Sequence, residues 1–448
     1  MSSSSSSSYS RLSATPGLGR TPTSAADLSA RFAQQLGTGS GSGSSSGSGS
    51  VAGGSGVGGG LSSSATTTGL GVTGLIKRYS VYGTEDRVVL DLGSHSLKCG
   101  FSGEAQPRAP GLYSLDLHAA PPQQLRDHVI YHLHRMFTQA LMTDAKLRKV
   151  LICDSPLCPL PLKKLVADIL FNHFQVPAVL YFPAPTLALL STGTTTGLVV
   201  DCGHLEAAVL PVYDAHPLIH HIRTTPVAGA ALGKHLRALL LEHATLLSDS
   251  SSATNAGATG ASSSSSSDLL NSWLSPGVVE DIQCRLLFAS PEMTTTTDVD
   301  YPLPAPDPTS PLSTTITSSD PSALPQRTIR HLRIPGWIRE RAAEIWFQGD
   351  PDQDIESIPA TMLNVLLKVP LDLRHLMAST CLLTGSAASL PNFTHRLHIE
   401  LRSLITSHPK YKPALIHLTD RFEFQDAKTN GLTFPRGNRT WIGGTLLD

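Results

Sequence analysis

The sequence predicts an α/β fold built as two related lobes, and three observations carry that expectation. First, the apolar run Val88-Val89-Leu90 enters the turn Asp91-Leu92-Gly93-Ser94-His95-Ser96 and returns through Leu97–Phe101. A second unit of the same kind follows in Leu198-Val199-Val200, the turn Asp201-Cys202-Gly203-His204 and the return Ala207–Tyr213. Both read as strand, Asp-x-Gly turn and strand, with the two aspartates 110 residues apart (201 − 91). Similarity at that distance points to paired lobes rather than a short-period solenoid. Second, strands and helices alternate around these hairpins, the pattern of layered sheets with parallel pairing. Third, the stretches that break the pattern are of low complexity and read as a tail and two insertions.

Residues 1–80 are almost entirely Ser, Gly, Thr and Ala. They bury too little apolar surface to offset their ordering entropy, and so read as a disordered tail. Inside it, Ser24–Gly37 has the spacing of one short amphipathic helix, with Ser24 as cap, Leu28, Phe32 and Leu36 on one face, and Gly37 as stop. Order is expected to begin near Arg87. Leu125–Leu141 then lines up Leu125, Val129, Leu133, Met136, Phe137, Ala140 and Leu141 on one helical stripe. Lys149–Cys153 reads as a strand, Pro161–Phe174 as a helix, Val179–Phe182 as a strand, and Thr186–Ser191 as a helix closed by Gly193. After the second hairpin, helices are expected over Ala230–His243, Pro276–Phe288, Ser357–Lys368 and Leu371–Thr380. Cys381-Leu382-Leu383 is a strand running into Thr384-Gly385-Ser386, and Leu390–Leu404 is a helix opened by Pro391.

Lys plus Arg is 34 and Asp plus Glu is 35, a formal net charge of −1, which implies neither a nucleic-acid-binding face nor an acidic tail. The six cysteines (Cys99, Cys153, Cys158, Cys202, Cys284 and Cys381) lack zinc-site spacing and read as buried, reduced thiols, in keeping with a cytosolic setting. No apolar run approaches the roughly 18–20 residues of a membrane span. The N-terminus has no apolar signal core, and its Arg11, Arg20 and Arg31 give only a faint transit-peptide character, so disorder is the reading kept.

A Gly-containing hairpin turn lets backbone N–H groups converge on one spot, which suits phosphate. Two such turns on opposed lobes would grip a polyphosphate and its metal. Gly93 and Ser94 are the donors expected in the first turn, with Lys98 as a point charge for the outer phosphates. Asp91 and Asp201 are placed to hold the waters of Mg²⁺. Gly203 shapes the second turn, and Gly385 follows a third strand. A single Asp-x-Gly is weak evidence; the pair with the third loop is more specific.

These segments resemble the actin superfamily. Val89–Phe101, followed by Gly103, Pro107 and Arg108, resembles its first phosphate hairpin, and Leu198–Tyr213 its second. Leu383–Arg396 resembles the adenosine segment, and Trp441-Ile442-Gly443-Gly444 the closing motif. The similarity runs from about Arg87 to Asp448, interrupted by the insertions at 248–267 and 291–326. It implies a two-lobed fold with a nucleotide cleft. Lobe boundaries are expected at 81–195 and 196–448, with the C-terminal segment returning to the first lobe. Within the superfamily, further stretches resemble the actin-related proteins of the dynactin pointed-end complex. These are Lys98-Cys99-Gly100-Phe101, Val209-Leu210-Pro211-Val212-Tyr213, Asp300-Tyr301-Pro302-Leu303, Leu371-Asp372-Leu373-Arg374 and Pro409–Leu415.

The departures from actin bear on activity. The resemblance puts Ala184 where actin has its water-orienting glutamine, Ala208 where it has the water-side histidine, and His204 where it has the second-hairpin carboxylate. An attacking water needs a polar side chain to orient it, so no catalytic residue is expected and hydrolysis should be absent or very slow. Gln283 and Cys284 replace the Lys and Glu of the nucleotide-facing helix; Ser386 and Gly437 replace a loop glycine and a closing-segment lysine. ATP or ADP with Mg²⁺ is therefore expected only as a weak or static occupant. The Pro107–Asp154 interval is shorter than actin's, which removes most of the small outer lobe.

The function this implies is a non-catalytic, cytoplasmic cytoskeletal subunit. Its expected partners are the actin-like filament subunit of dynactin and the pointed-end complex proteins, with no nucleic acid and no membrane. Two alternatives stay open: a nuclear actin-related protein of a chromatin-remodelling complex, and a catalytic ATPase of the same superfamily. His128 and His132, four apart, read as solvated helix histidines rather than metal ligands. The Asp350–Glu356 run reads as a surface turn lacking calcium-loop spacing. Ser386 and Ser389 sit in no nucleophile elbow.

Overall fold

A computed structural model of the chain describes residues 87–108, 111–112, 122–248, 270–290, 297–304, 329–425 and 434–447. The expected tail, the Ser24–Gly37 helix and most of both insertions lie outside the described residues.

The first sheet has the order β3-β2-β1-β4-β5, from Gly111–Leu112, Ser96–Phe101, Arg87–Leu92, Lys149–Asp154 and Val179–Pro183. β1 runs antiparallel to β2 and parallel to β4, and β4 runs parallel to β5. Val88, Val89 and Leu90 are wholly buried, because this strand is covered on both faces. The amphipathic stripe lands as expected on the helix Pro122–Arg135 and the π-helical turn Met136–Ala140, with Val129, Leu133, Met136, Phe137 and Leu141 all buried. The helix Leu160–Asp168 likewise runs on into a π-helical turn, Ile169–His173.

The second sheet repeats the motif with β6 (Gly197–Cys202), β7 (Ala207–Tyr213), β8 (His216–Pro217), β9 (Arg223–Thr225) and β13 (Cys381–Thr384). Their order is β13-β6-β7-β8, with β9 also pairing β7. β6 is antiparallel to β7 and parallel to β13. In each sheet the strand that ends in Asp-x-Gly thus pairs with its own hairpin partner on one side and a parallel strand on the other.

The helix Ala184–Leu190 lies between the sheets with all seven residues buried. Leu187 and Leu190 pack into the cluster under β1 and β4; Ala188 and Leu189 pack against Val199, Val212 and Leu382 of the second sheet. A helix apolar on all sides is one enclosed on all sides. The helix Arg439–Thr445 crosses it at very close range: a Cβ added to Gly443 would lie 1.8 Å from the Leu187 carbonyl oxygen. Trp441, fully buried, donates its Nε1–H to the Val89 carbonyl at 3.1 Å. The closing motif is therefore a packing device.

A third sheet joins β10 (Thr245–Ser248), β12 (Ile329–Ile334) and β11 (Val299–Pro302) in that order, all antiparallel. Val299–Pro302, within the segment expected to be the second insertion, is a strand, held because Tyr301 is buried and donates to Asp281 Oδ2 at 2.6 Å. The helix expected from Leu390 begins at Phe393 instead. Asn392 has φ 61°, a left-handed conformation that interrupts helical continuation from Pro391. The cysteines form no disulfide, but only Cys99, Cys153, Cys202 and Cys381 are buried; Cys158 is half-buried and Cys284 exposed. Cys284 is exposed because its helix, Pro276–Leu286, buries Val278, Val279 and Ile282 instead.

Candidate functional site

The site is built from the two hairpin turns and the loop after β13. Register sets Asp91 opposite Lys98 in the first hairpin and Asp201 opposite Ala208 in the second. Lys98 Nζ donates to Asp91 Oδ2 at 2.8 Å, and both side chains are only 16% exposed. Burial alone would depress the Lys98 ammonium. The charge and hydrogen bond of Asp91, with Asp201 and Cys153 nearby, outweigh it and raise the pKa above the ordinary lysine value.

The Asp201 side chain has no hydrogen-bond or ion-pair partner among the described residues. Burial, followed by the charges of Asp91 and Glu206, pushes its carboxyl up to about 6, with Lys98 pulling the other way. Two carboxylates therefore share one ammonium, which leaves a buried negative group without full compensation. A hard cation is the species that such a pair accommodates, through a few carboxylates and retained waters.

Gly385 completes this end of the site. Its φ is +89°, and a Cβ there would stand 2.2 Å from the Cys202 carbonyl oxygen and 2.8 Å from Asp201 Oδ1. Only glycine lets the third loop close on the second hairpin. The turns themselves are matched: Gly93 N–H donates to the Ser96 carbonyl at 3.1 Å, and Gly203 N–H to the Glu206 carbonyl at 3.1 Å. Each of these N–H groups thus closes its own turn. The N–H groups of Ser94, His95, His204 and Leu205, at the tips, take no acceptor among the described residues.

The tips meet through side chains. The rings of His95 and His204 stack with centroids 4.3 Å apart and planes 20° apart. His95 Nε2 lies 2.9 Å from Glu280 Oε1 on the helix Pro276–Leu286. Burial, then the neighbouring His95, lowers the His204 pKa below the usual histidine value, while Glu280 opposes the shift. Sequence reasoning missed this contact, although a histidine in each Asp-x-Gly turn was a visible signal.

Ala184 is buried beside Leu187 and Trp441, and Ala208 presents a methyl group across from Asp201. Gln283 and Cys284 stand on the helix of Glu280, with Cys284 exposed. A Cβ on Gly437 would be 3.4 Å from Ser386 Cα, so the third loop and the closing segment abut directly. The donor set fits Mg²⁺ and inner phosphate oxygens at Asp91, Lys98 and Asp201, whereas Gln283, Cys284, Ser386 and Gly437 bring no charge to the purine side. His128, exposed, and His132, half-buried, stack on their helix, and no group of three or more His, Cys, Asp or Glu side chains able to hold a metal ion occurs among the described residues. No helix among the described residues is long and apolar enough to cross a membrane.

Comparison with known proteins agrees with this architecture. The family model described as Actin matches residues 126–448. Actin-related protein 10 of Dictyostelium discoideum is 22% identical over 410 residues, covering 81% of this chain and 82% of that protein. Actin-like protein 7A of Mus musculus is 24% identical over 394 residues, covering 80% of this chain and 76% of its own length. With two matched Asp-x-Gly hairpins on facing sheets and a family match over most of its length, this chain belongs to the actin family.

Proposed function

We propose that the chain is a non-catalytic structural subunit capping the pointed end of dynactin's actin-like filament, in support of dynein-driven, microtubule-based transport. One observation carries the capping role. The edge strand β3 ends at Leu112 and the next helix starts at Pro122, which leaves nine residues, 113–121, between them. Nine residues are far too few for a separate lobe with its own core. A subunit of the family without that outer lobe offers no normal surface to a further subunit. Its other face would still engage the actin-like filament subunit, and the pointed-end complex proteins would cover the free side.

In this reading the lobes span 81–195 and 196–448, with insertions at 248–267 and 291–326 and the C-terminal segment on the first lobe. Asp91 and Asp201 would hold a Mg²⁺ ion through water, Lys98 would face phosphate oxygens, Ser94 would donate to them, and Gly93, Gly203 and Gly385 shape the three loops. Mg²⁺ held there would offset the charge of the two carboxylates and of the phosphates of ATP or ADP between the lobes. Hydrolysis is not among its roles, because Ala208 and Ala184 leave no polar group to orient water.

The chain is placed in the cytoplasm and cytoskeleton. Affinity purification of the full chain from a cytosolic extract, followed by mass spectrometry, tests the partnership. Dynactin subunits are expected in stoichiometric yield; recovery of chromatin-remodelling subunits in their place would overturn the proposal.

A further inference from the structure

The His95–His204 contact spans the mouth of the cleft, between the two turns that the family resemblance assigns to phosphate. We propose that this stacked pair, tied to Glu280, is a side-chain latch that closes the cleft and takes over the bridging role of a bound phosphate. The inference rests on the placing of the phosphate site between the hairpins and is independent of the capping role.

Ring centroids 4.3 Å apart are in van der Waals contact, so nothing fits between the rings. A phosphate group seated between the two turns at this point would have to part the rings first. The contact also joins three elements from distant parts of the chain. His95 belongs to the β1–β2 turn, whereas His204 belongs to the β6–β7 turn, and Glu280 to a helix anchored by Val278, Val279 and Ile282.

The second tip is fixed rather than loose. Gly203 and His204 carbonyls accept from Gly229 N–H at 3.1 Å and Ala230 N–H at 2.7 Å, the first turn of the helix Gly229–His243. Holding His204 on that helix start, and His95 on Glu280 at 2.9 Å, aligns the two rings. A stack anchored on both sides resists opening in a way that two free surface imidazoles would not. Both histidines remain partly exposed, so a phosphate-bearing ligand can reach them and part the rings.

The test uses hydrogen exchange on the full chain, following peptides that cover 91–98 and 201–206. Wild type, His95→Gly, His204→Gly and His204→Phe are compared in EDTA and in millimolar Mg-ADP. Wild type should already be protected in EDTA and gain only modestly with Mg-ADP. Either glycine variant should lose at least tenfold protection in EDTA and regain it with Mg-ADP, while His204→Phe, which keeps a stacking ring, should behave as wild type. Circular dichroism and the unfolding midpoint confirm that each variant is folded. Glycine variants as protected as wild type in EDTA would overturn the latch. A loss that Mg-ADP fails to restore would overturn its equivalence to phosphate, and the phosphate site with it, without touching the capping role.

Discussion

Ala208 stands directly opposite Asp201 in the second hairpin, in the place that Lys98 holds opposite Asp91 in the first. The same backbone pairing thus yields an ion pair on one side of the cleft and a methyl group facing a buried carboxylate on the other. Charge can be held at this site, but no side chain across from Asp201 can position a water. Purified protein given Mg-ATP should therefore release phosphate no faster than a blank without protein. A steady rate comparable with that of actin would contradict this.

The unpaired Asp201 also predicts how the fold responds to a cation. Mg²⁺ binding to the native site alone raises stability by mass action, about 2.7 kcal/mol at a hundredfold excess over the dissociation constant. Thermal unfolding of wild type should shift upward with added Mg²⁺, whereas Asp201→Asn should show little or no shift. An equal shift in both proteins would place the cation elsewhere.

Gly443 and Gly277 offer opposite outcomes for one substitution. Alanine at Gly443 drives a methyl group into the Leu187 carbonyl at 1.8 Å, at the crossing of two buried helices. Overpacking of that kind costs about 1–3 kcal/mol and more where backbone must move. A methyl group added at Gly277, in the helix Pro276–Leu286, meets nothing within 4 Å. Gly277→Ala should stabilise by about 0.5–1 kcal/mol through helix propensity. Urea denaturation of the two variants reads both signs.

Much of this was legible because it is local. Buried strands entering Asp-x-Gly turns showed in Val88–Leu90 and Leu198–Val200, and the stripe from Leu125 to Leu141 showed as helical spacing. Ser275 and Ser357, each accepting from a backbone N–H three residues on, marked helix starts that were read correctly to within a residue. The third sheet was missed because β12 pairs with β10 and β11 across long intervening segments, and its sequence Ile-Arg-His-Leu-Arg-Ile gives no turn signal nearby. The ring stack was invisible for the same reason: His95 and His204 are 109 residues apart (204 − 95), and only the closure of one lobe on the other brings them together. Arg374 reads as a bare family match until its guanidinium is seen donating to the Leu367 and Val369 carbonyls, which caps a helix end.

His204 gives a pH dependence whose sign follows from its lowered pKa. A histidine easier to deprotonate in the folded chain contributes stability above its unfolded pKa, about 6.5, and that stability is lost as pH falls through the lower folded value. His95 and Glu280 are the charged or titratable groups facing it. The unfolding midpoint of wild type should therefore fall on acidification below about pH 6.5, and His204→Phe should remove part of that fall. A midpoint that falls equally in both would assign the effect to other groups.

The proposed capping role is tested most directly by position. Electron microscopy of the intact complex, with a tag on this chain, should show one copy at one end of the actin-like filament, opposite the barbed-end capping protein. That result is expected because only nine residues stand between β3 and the helix at Pro122, where a further subunit would need a lobe to dock on. Copies repeated along the filament, or a single copy at the barbed end, would contradict the account.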